Sequence, residues 1–174
     1  KRELGYEIDF HICNSAGSLR FPQYHLDMIR LGIGLHGIVL KDKHLKPTIS
    51  LKSYITQIND VQKGDYVGYS DKYLAPSDMK IGVVPIGYAD GITRSFGVNG
   101  GFVSVNQQKC PVIGNVCMDM LMIDLSSSID IQVGDEVEFF GEEISIEEHA
   151  QFQNTIAYEV ISRITERVPR IYIR

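Results

Sequence analysis

The sequence predicts a mainly β protein: a small β-barrel or sandwich with two short helices, preceded by a single α/β unit. Three observations lead there. From Pro47 onward the chain breaks into short runs of alternating apolar and polar residues separated by turn residues, the pattern of strands in a small β domain. Two late segments carry helix-start signals followed by apolar residues at helical spacing. Residues 1 to about 45 read instead as strand, helix, strand, a unit that cannot close a sheet by itself.

In chain order, Tyr6 to Ile12 predicts a strand, with Ile8, Phe10 and Ile12 alternating against Asp9 and His11. Asn14 to Ser18 reads as loop. Phe21, Tyr24 and Met28 fall at helical spacing between Arg20 and Ile29, with Pro22 early enough for its missing N–H to be harmless. Gly32 ends that helix, and Ile33 to Leu40 returns to strand. In the second part, Leu51, Ser53, Ile55 and Gln57 alternate with Lys52, Tyr54, Thr56 and Ile58. Gly64-Asp65 and Gly134-Asp135 mark turns, the latter leading into a strand from Glu136 to Phe140. Further strands are expected over Lys80–Pro85, Phe102–Val105, Lys109–Ile113 and Leu121–Leu125. Ser145 and Glu148 form a capping-box pair for one helix. Asn154 or Thr155 would cap the next, whose Ile156, Val160, Ile161 and Ile164 make an apolar face. Arg170 to Ile173 would close the domain as a strand.

The 174 residues are enough for one domain or slightly more. A formal charge of −5 with mixed signs and no basic stripe argues against nucleic acid as a partner. No apolar run approaches the roughly 20 residues that span a bilayer, so no membrane is expected. Lys1 in place of Met, without a signal-like segment, suggests a piece of a longer chain. Cys13, Cys110 and Cys117 are odd in number and widely spaced, which favours neither disulfides nor zinc and points to the cytoplasm. The histidines, His11, His25, His36, His44 and His149, lack metal-ligand spacing, so no metal site is expected.

Two short segments break the patterning around them. Gly87-Tyr88-Ala89-Asp90-Gly91 sets a tyrosine and a carboxylate among glycines, and Cys117-Met118-Asp119-Met120 sets a carboxylate inside an apolar stretch. Burying an unpaired carboxylate is costly, so partners are expected for both Asp90 and Asp119, most simply in turns and networks. Gly32 to Gly37 spells G-x-G-x-x-G, but it follows a helix and opens a strand, the reverse of a dinucleotide fingerprint. Gly32 itself suits close backbone approach to an anion.

With Ile156-Ala157-Tyr158-Glu159 and Arg167-Val168-Pro169-Arg170, these segments resemble the C-terminal part of the alanine racemase family, and the resemblance runs from His11 to Tyr172. It implies that residues 1–45 are the end of an incomplete (β/α)8 barrel and 46–174 a C-terminal β domain. It implies interconversion of L- and D-alanine with pyridoxal 5'-phosphate, to supply D-alanine for peptidoglycan. The partners implied are alanine and a second copy, in a head-to-tail homodimer. His11-Ile12-Cys13-Asn14-Ser15 and Met28-Ile29-Arg30-Leu31-Gly32-Ile33 are similar to the ends of the family's last two barrel strands. The resemblance therefore implies that Ser15, the N–H groups of Gly32 and Ile33, and the Tyr158 hydroxyl hold the cofactor phosphate. This agrees with the phosphate site commonly built after strands seven and eight of such barrels. Arg30 would face the pyridine nitrogen with His11 behind it. An arginine there stays protonated and leaves the ring a weaker electron sink, which disfavours side reactions.

Tyr69, in Val67-Gly68-Tyr69-Ser70, would exchange a proton with the substrate Cα, with Ser70 standing where the family commonly has Gly. Its phenol, ordinarily of pKa near 10, would need nearby positive charge to act as a base. The Met118 N–H would bind the substrate carboxylate. Tyr69 and Met118 would serve a neighbouring subunit's cofactor. The family's cofactor-bearing lysine has no counterpart among Lys1, Lys41, Lys43, Lys46, Lys52, Lys63, Lys72, Lys80 or Lys109, so these residues alone are expected to be inactive. The Gly87–Gly91 and Cys117–Asp119 segments point away from a basic amino-acid decarboxylase of the same architecture, while a racemase of another amino acid and a non-catalytic interaction module of racemase-like shape stay open.

Overall fold

The computed structural model describes residues 5–38 and 45–173. They form two compact units, 1–49 and 50–174, each taken separately below.

In the first unit the helix is α1, Ser15–Arg20, capped by the Asn14 side chain, which accepts the Gly17 N–H at 2.8 Å. It occupies the segment expected as loop, because the cap starts it there. The helix expected over Arg20–Ile29 is not formed. Phe21, at φ −134°, ends α1, a short 3-10 turn follows over Pro22–Tyr24, and Leu26 at φ 55° prevents continuation. The expected strand Tyr6–Ile12 is likewise absent; what forms is a single parallel bridge between Asn14 and Arg30, with the Arg30 N–H on the Cys13 carbonyl at 2.9 Å. A strand is defined by its neighbours, and alternation without a ladder partner leaves an extended segment. Ile33–His36, expected as strand, is a 3-10 turn ended by Gly37 at φ +73°. A Cβ on Gly37 would lie 1.8 Å from the Lys46 carbonyl oxygen, so only glycine fits there. Val39 and Leu40 of that expected strand, and Lys1, Lys41, Lys43 and His44, lie outside the described residues.

The second unit is mainly β. Its strands are β1 (Leu51–Tyr54), β2 (Gln57–Val61), β3 (Tyr66–Val67), β4 (Tyr73–Leu74), β5 (Met79–Val84), β6 (Phe102–Val105), β7 (Gln108–Ile113), β8 (Leu121–Asp124) and β9 (Glu136–Phe140). β3 and β4 pair as a small hairpin, and the other seven form an antiparallel sheet in the order β1-β9-β6-β7-β8-β5-β2. The two outer strands, β1 and β2, are consecutive in sequence and joined only by Ile55 and Thr56. A sheet whose edges lie two residues apart along the chain must curl into a barrel-like wall. Ile55 is fully buried at this joint, its N–H on the Asp135 carbonyl, while the Thr56 N–H reaches Val83. The strand and turn expectations between Gly64 and Phe140 hold to within one or two residues, whereas the joint divides the run from Leu51 to Ile58.

Helix α2 (Ile146–Phe152) begins as expected at Ser145, whose Oγ accepts the Glu148 N–H at 3.1 Å. Helix α3 (Ala157–Arg163) departs from expectation: Ile156 stands at its N-cap without a side-chain bond, and Thr155 instead donates to the Glu159 carboxylate. The expected closing strand Arg170–Ile173 is not formed, and Ile171, Tyr172 and Ile173 are almost wholly exposed.

The core holds Phe96, Val103, Val105, Leu121, Ile123, Val137, Phe139 and Val160. A polar group lies within it. His149 of α2 is fully buried against Phe96, Phe139 and Phe140, with ring centroids 4.7, 6.3 and 5.4 Å away. A second apolar cluster, of Val67, Ala75, Met79, Ile81, Ile113, Cys117 and Met122, supports the surface considered next.

Candidate active site

Tyr69 stands at the tip of the β3–β4 hairpin, at the start of a short 3-10 turn over Tyr69–Asp71. Its ring is 72 % exposed, and its hydroxyl makes no hydrogen bond among the described residues. Ser70 adopts φ 64°, ψ 25°, the left-handed region, so the turn keeps a conformation suited to glycine although a serine occupies it. Beneath the tip, Gly68 approaches Met122, and Asn115 Nδ2 donates to the Tyr69 carbonyl at 3.4 Å. Met118 lies on the neighbouring turn, where the Cys117 N–H reaches the Met120 carbonyl at 2.9 Å. Val67 of the hairpin and Cys117 of this turn share the second apolar cluster. One rigid support thus carries both candidates, and both side chains are exposed.

The two unusual sequence segments meet here. The N–H groups of Tyr88 and Ala89 donate to the Cys117 and Met118 carbonyls, each at 3.0 Å. Asp90 is buried, and its Oδ2 accepts the Gly87 N–H at 2.8 Å. Its Oδ1 lies 3.2 Å from Arg167 Nε, while Arg167 Nη2 lies 2.5 Å from Asp119 Oδ1. The partners expected for both carboxylates are thus supplied largely by one arginine. The hydrogen bond that Arg167 donates to Asp119, with the nearby charge of Asp90, raises the Arg167 pKa above its ordinary value. Arg170 in turn donates to the carbonyls of Ile164 and Thr165, bracing the segment that presents Arg167.

Gly87 is required by space. A Cβ there would sit 2.3 Å from both the Cys117 and Met118 carbonyl oxygens, which are backbone atoms and cannot swing away. Gly87→Ala is therefore expected to destabilise this unit by about 1–3 kcal/mol, the usual range for overpacking, and to loosen the Met118 turn. Chemical denaturation of the variant checks this; an unchanged midpoint would contradict the close approach.

In the first unit, Ser15 is buried at the start of α1, and its Oγ accepts the N–H of Gly32 at 2.9 Å and of Gly34 at 3.2 Å. Ile33 opens the following 3-10 turn, where its N–H has no partner within the turn. A Cβ on Gly32 would meet nothing within 4 Å, so space is open beside this residue. Ser15, Gly32 and Ile33 are brought together. Arg30, exposed at the rim, donates from Nη2 to the Ile12 carbonyl at 3.1 Å. No hydrogen bond joins it to His11 among the described residues. Tyr158 lies in the second unit on α3, 52 % exposed, above the buried Ala157 and Val160.

Sequence reasoning named Arg167 as part of a motif without a role, and did not single out Asn115. An arginine near a chain end carries no sign of which distant carboxylates it will meet. For Asn115, burial beside the Tyr69 backbone is the deciding feature, and it exists only in the fold.

Residues 48–172 match the family model described as alanine racemase, C-terminal domain. An alanine racemase of Clostridium tetani is 40% identical over 183 residues, covering 99% of this chain and 47% of its own length. Alanine racemase 2 of Bacillus subtilis is 41% identical over 186 residues, again covering 99% of this chain and 47% of its own length. Among solved structures, an alanine racemase from Bartonella henselae with covalently bound pyridoxal phosphate superposes with a TM-score of 0.87 at 29% identity, covering 99% of this chain and 49% of that one. The chain thus spans about half the length of the curated relatives it matches. On this match over residues 48–172 and at these identities along nearly its whole length, the chain belongs to the alanine racemase family.

Proposed function

We propose that the full-length protein to which these residues belong interconverts L- and D-alanine with pyridoxal 5'-phosphate. It would act as a head-to-tail homodimer in the cytoplasm and supply D-alanine for peptidoglycan. The observation that carries the cofactor reading is the Ser15 hydroxyl, whose oxygen accepts the Gly32 and Gly34 N–H groups and whose own O–H is left to donate, beside an Ile33 N–H without a partner in its turn. Such donors suit a phosphate oxygen. On the family pattern, Ser15, Gly32, Ile33 and Tyr158 would hold the cofactor phosphate, with Arg30 toward the ring nitrogen and His11 behind it.

The bound cofactor would supply an electron sink that acidifies the substrate Cα–H. Everything else falls to the chain. Arg30, permanently protonated, donates a hydrogen bond without giving up its proton. The Met118 N–H holds the substrate carboxylate and so turns Cα toward the base. Tyr69, whose hydroxyl makes no hydrogen bond among the described residues, takes or returns the α-proton on one face, while a lysine elsewhere in the full-length chain serves the other. Tyr69 and Met118 sit on one support and would serve the neighbouring subunit's substrate.

The test is interconversion by the cofactor-loaded full-length protein, followed by chiral separation. Either alanine enantiomer is expected to reach an equal mixture, and other small amino acids to react more slowly. Stoichiometric cofactor without interconversion of alanine would overturn the reading. The 174 residues alone are expected to hold no covalent cofactor. A lysine within them labelled after borohydride reduction would overturn the upstream location of the cofactor lysine.

Among the described residues no helix is long and apolar enough to cross a membrane.

A further inference from the structure

The geometry points to Arg167 as a positioning residue that sets the direction of the Met118 N–H toward the substrate carboxylate. The inference rests on the proposed role of Met118 and deepens it. In a trans peptide the N–H and C=O of one plane point in opposite directions. The Cys117 carbonyl accepts the Tyr88 N–H at 3.0 Å, so the Met118 N–H of the same plane is aimed away from the Gly87–Asp90 segment. The Met118 carbonyl accepts the Ala89 N–H at 3.0 Å, which fixes the next plane in the same way. The direction of the Met118 N–H is therefore only as firm as the seating of residues 87–90 against residues 117–120.

Arg167 holds that seating from outside. Its Nε lies 3.2 Å from Asp90 in one segment and its Nη2 2.5 Å from Asp119 in the other, so a single rigid guanidinium spans the two. The Asp90 end is anchored further, because its other oxygen accepts the Gly87 N–H and its backbone carbonyl accepts the Thr165 N–H at 3.2 Å. Arg170 braces Ile164 and Thr165, so the arginine is presented from a fixed loop and not from a free tail. Lysine, a point charge on a flexible stem, would reach one carboxylate at a time.

The experiment uses the cofactor-loaded full-length protein and compares Arg167→Met, Arg167→Lys and Met118→Pro, the last removing the N–H itself. Two readouts separate positioning from general stability: amide exchange over residues 117–120, and the KM for alanine against the inhibition constant of isopropylamine, which has a methyl in place of the carboxylate and so no acceptor for the Met118 N–H. For Arg167→Met, exchange over 117–120 is expected to speed up and the KM for alanine to rise about tenfold or more. Binding of isopropylamine is expected to stay the same, and kcat to change much less than KM. Arg167→Lys should show the same pattern at smaller size, and it carries the test should Arg167→Met not fold. Unchanged exchange over 117–120, or equal losses for alanine and isopropylamine, would overturn the inference. If Met118→Pro selectively weakens alanine while the Arg167 variants do not, only the role of Arg167 falls. If Met118→Pro shows no selective loss, the reading of Met118 falls and the inference with it.

Discussion

Tyr69→Phe in the full-length protein is expected to slow α-proton exchange from L-alanine by about 10²–10⁴-fold, the usual contribution of a positioned acid–base group. Exchange from D-alanine should persist, because on the family pattern the lysine base faces that enantiomer. The fold has no reason to change. The ring is 72 % exposed, its hydroxyl bonds nothing among the described residues, and the hairpin is held by Val67, Tyr73 and the Asn115 contact to the backbone. Net racemisation must fall equally in both directions, since the equilibrium constant fixes their ratio. Solvent deuterium incorporation into each enantiomer, read before product accumulates, makes the distinction. Equal loss of exchange from both enantiomers would assign Tyr69 a structural role, and no loss would remove it from the chemistry.

Acidification is expected to destabilise the β unit through His149 by about 3 kcal/mol, since each unit of pKa difference is worth about 1.4 kcal/mol. Burial lowers the His149 pKa to about 4, with the Phe139 backbone offsetting only a little of the effect. The local hydrogen bonds are arranged for the neutral ring that burial favours. Gln153 Oε1 accepts the Thr93 N–H at 3.1 Å, which turns the Gln153 amide nitrogen toward His149 Nε2, 2.5 Å away. Nε2 must therefore accept, and the ring proton belongs on Nδ1, which is buried without a hydrogen bond of good geometry. Protonating Nε2 would set donor against donor inside an aromatic cage. The unfolded chain takes up this proton near pH 6.5 and the folded one only near 4. The stability from the neutral ring is thus complete above about pH 6.5 and is lost as the pH falls toward 4. Urea midpoints at pH 7, 5.5 and 4, set against His149→Gln, isolate the effect from that of the carboxylates. Parallel losses in the two proteins would show that His149 does not titrate across this window.

The aromatic cage and the Arg167 clamp share a feature that separates them from the strands. Strands β5 to β9 were legible because a half-buried strand writes its two faces into alternate residues, and Gly-Asp turns mark where it stops. Ser145 was legible because a cap acts within three residues of itself. The family's motifs were legible for a related reason: Gly87, Tyr69 and Ser15 each sit in a short contiguous stretch that can be recognised without its distant partners.

What lay beyond the sequence depends on partners distant along the chain. Tyr6–Ile12 and Arg170–Ile173 have strand-like composition and form no ladder, because a strand exists only where another offers its hydrogen bonds. The helix of the first unit moved to Ser15–Arg20 because one Asn14 side chain outweighed the apolar spacing of Phe21, Tyr24 and Met28, whose expected face is exposed. Asp90 and Asp119 announced by their surroundings that they needed partners, but the choice of Arg167 waited on the packing that brings residues 90, 119 and 167 to one point. Sequence by itself determined the β architecture of the second unit, the family and the candidate residues, since each is encoded in local periodicity or a contiguous motif. Tertiary structure alone decided that Tyr69 and Met118 share one support, and that the ring of His149 is held neutral by burial among aromatic side chains, with Gln153 beside its Nε2. Such relations arise from the meeting of segments, and no window of sequence contains them.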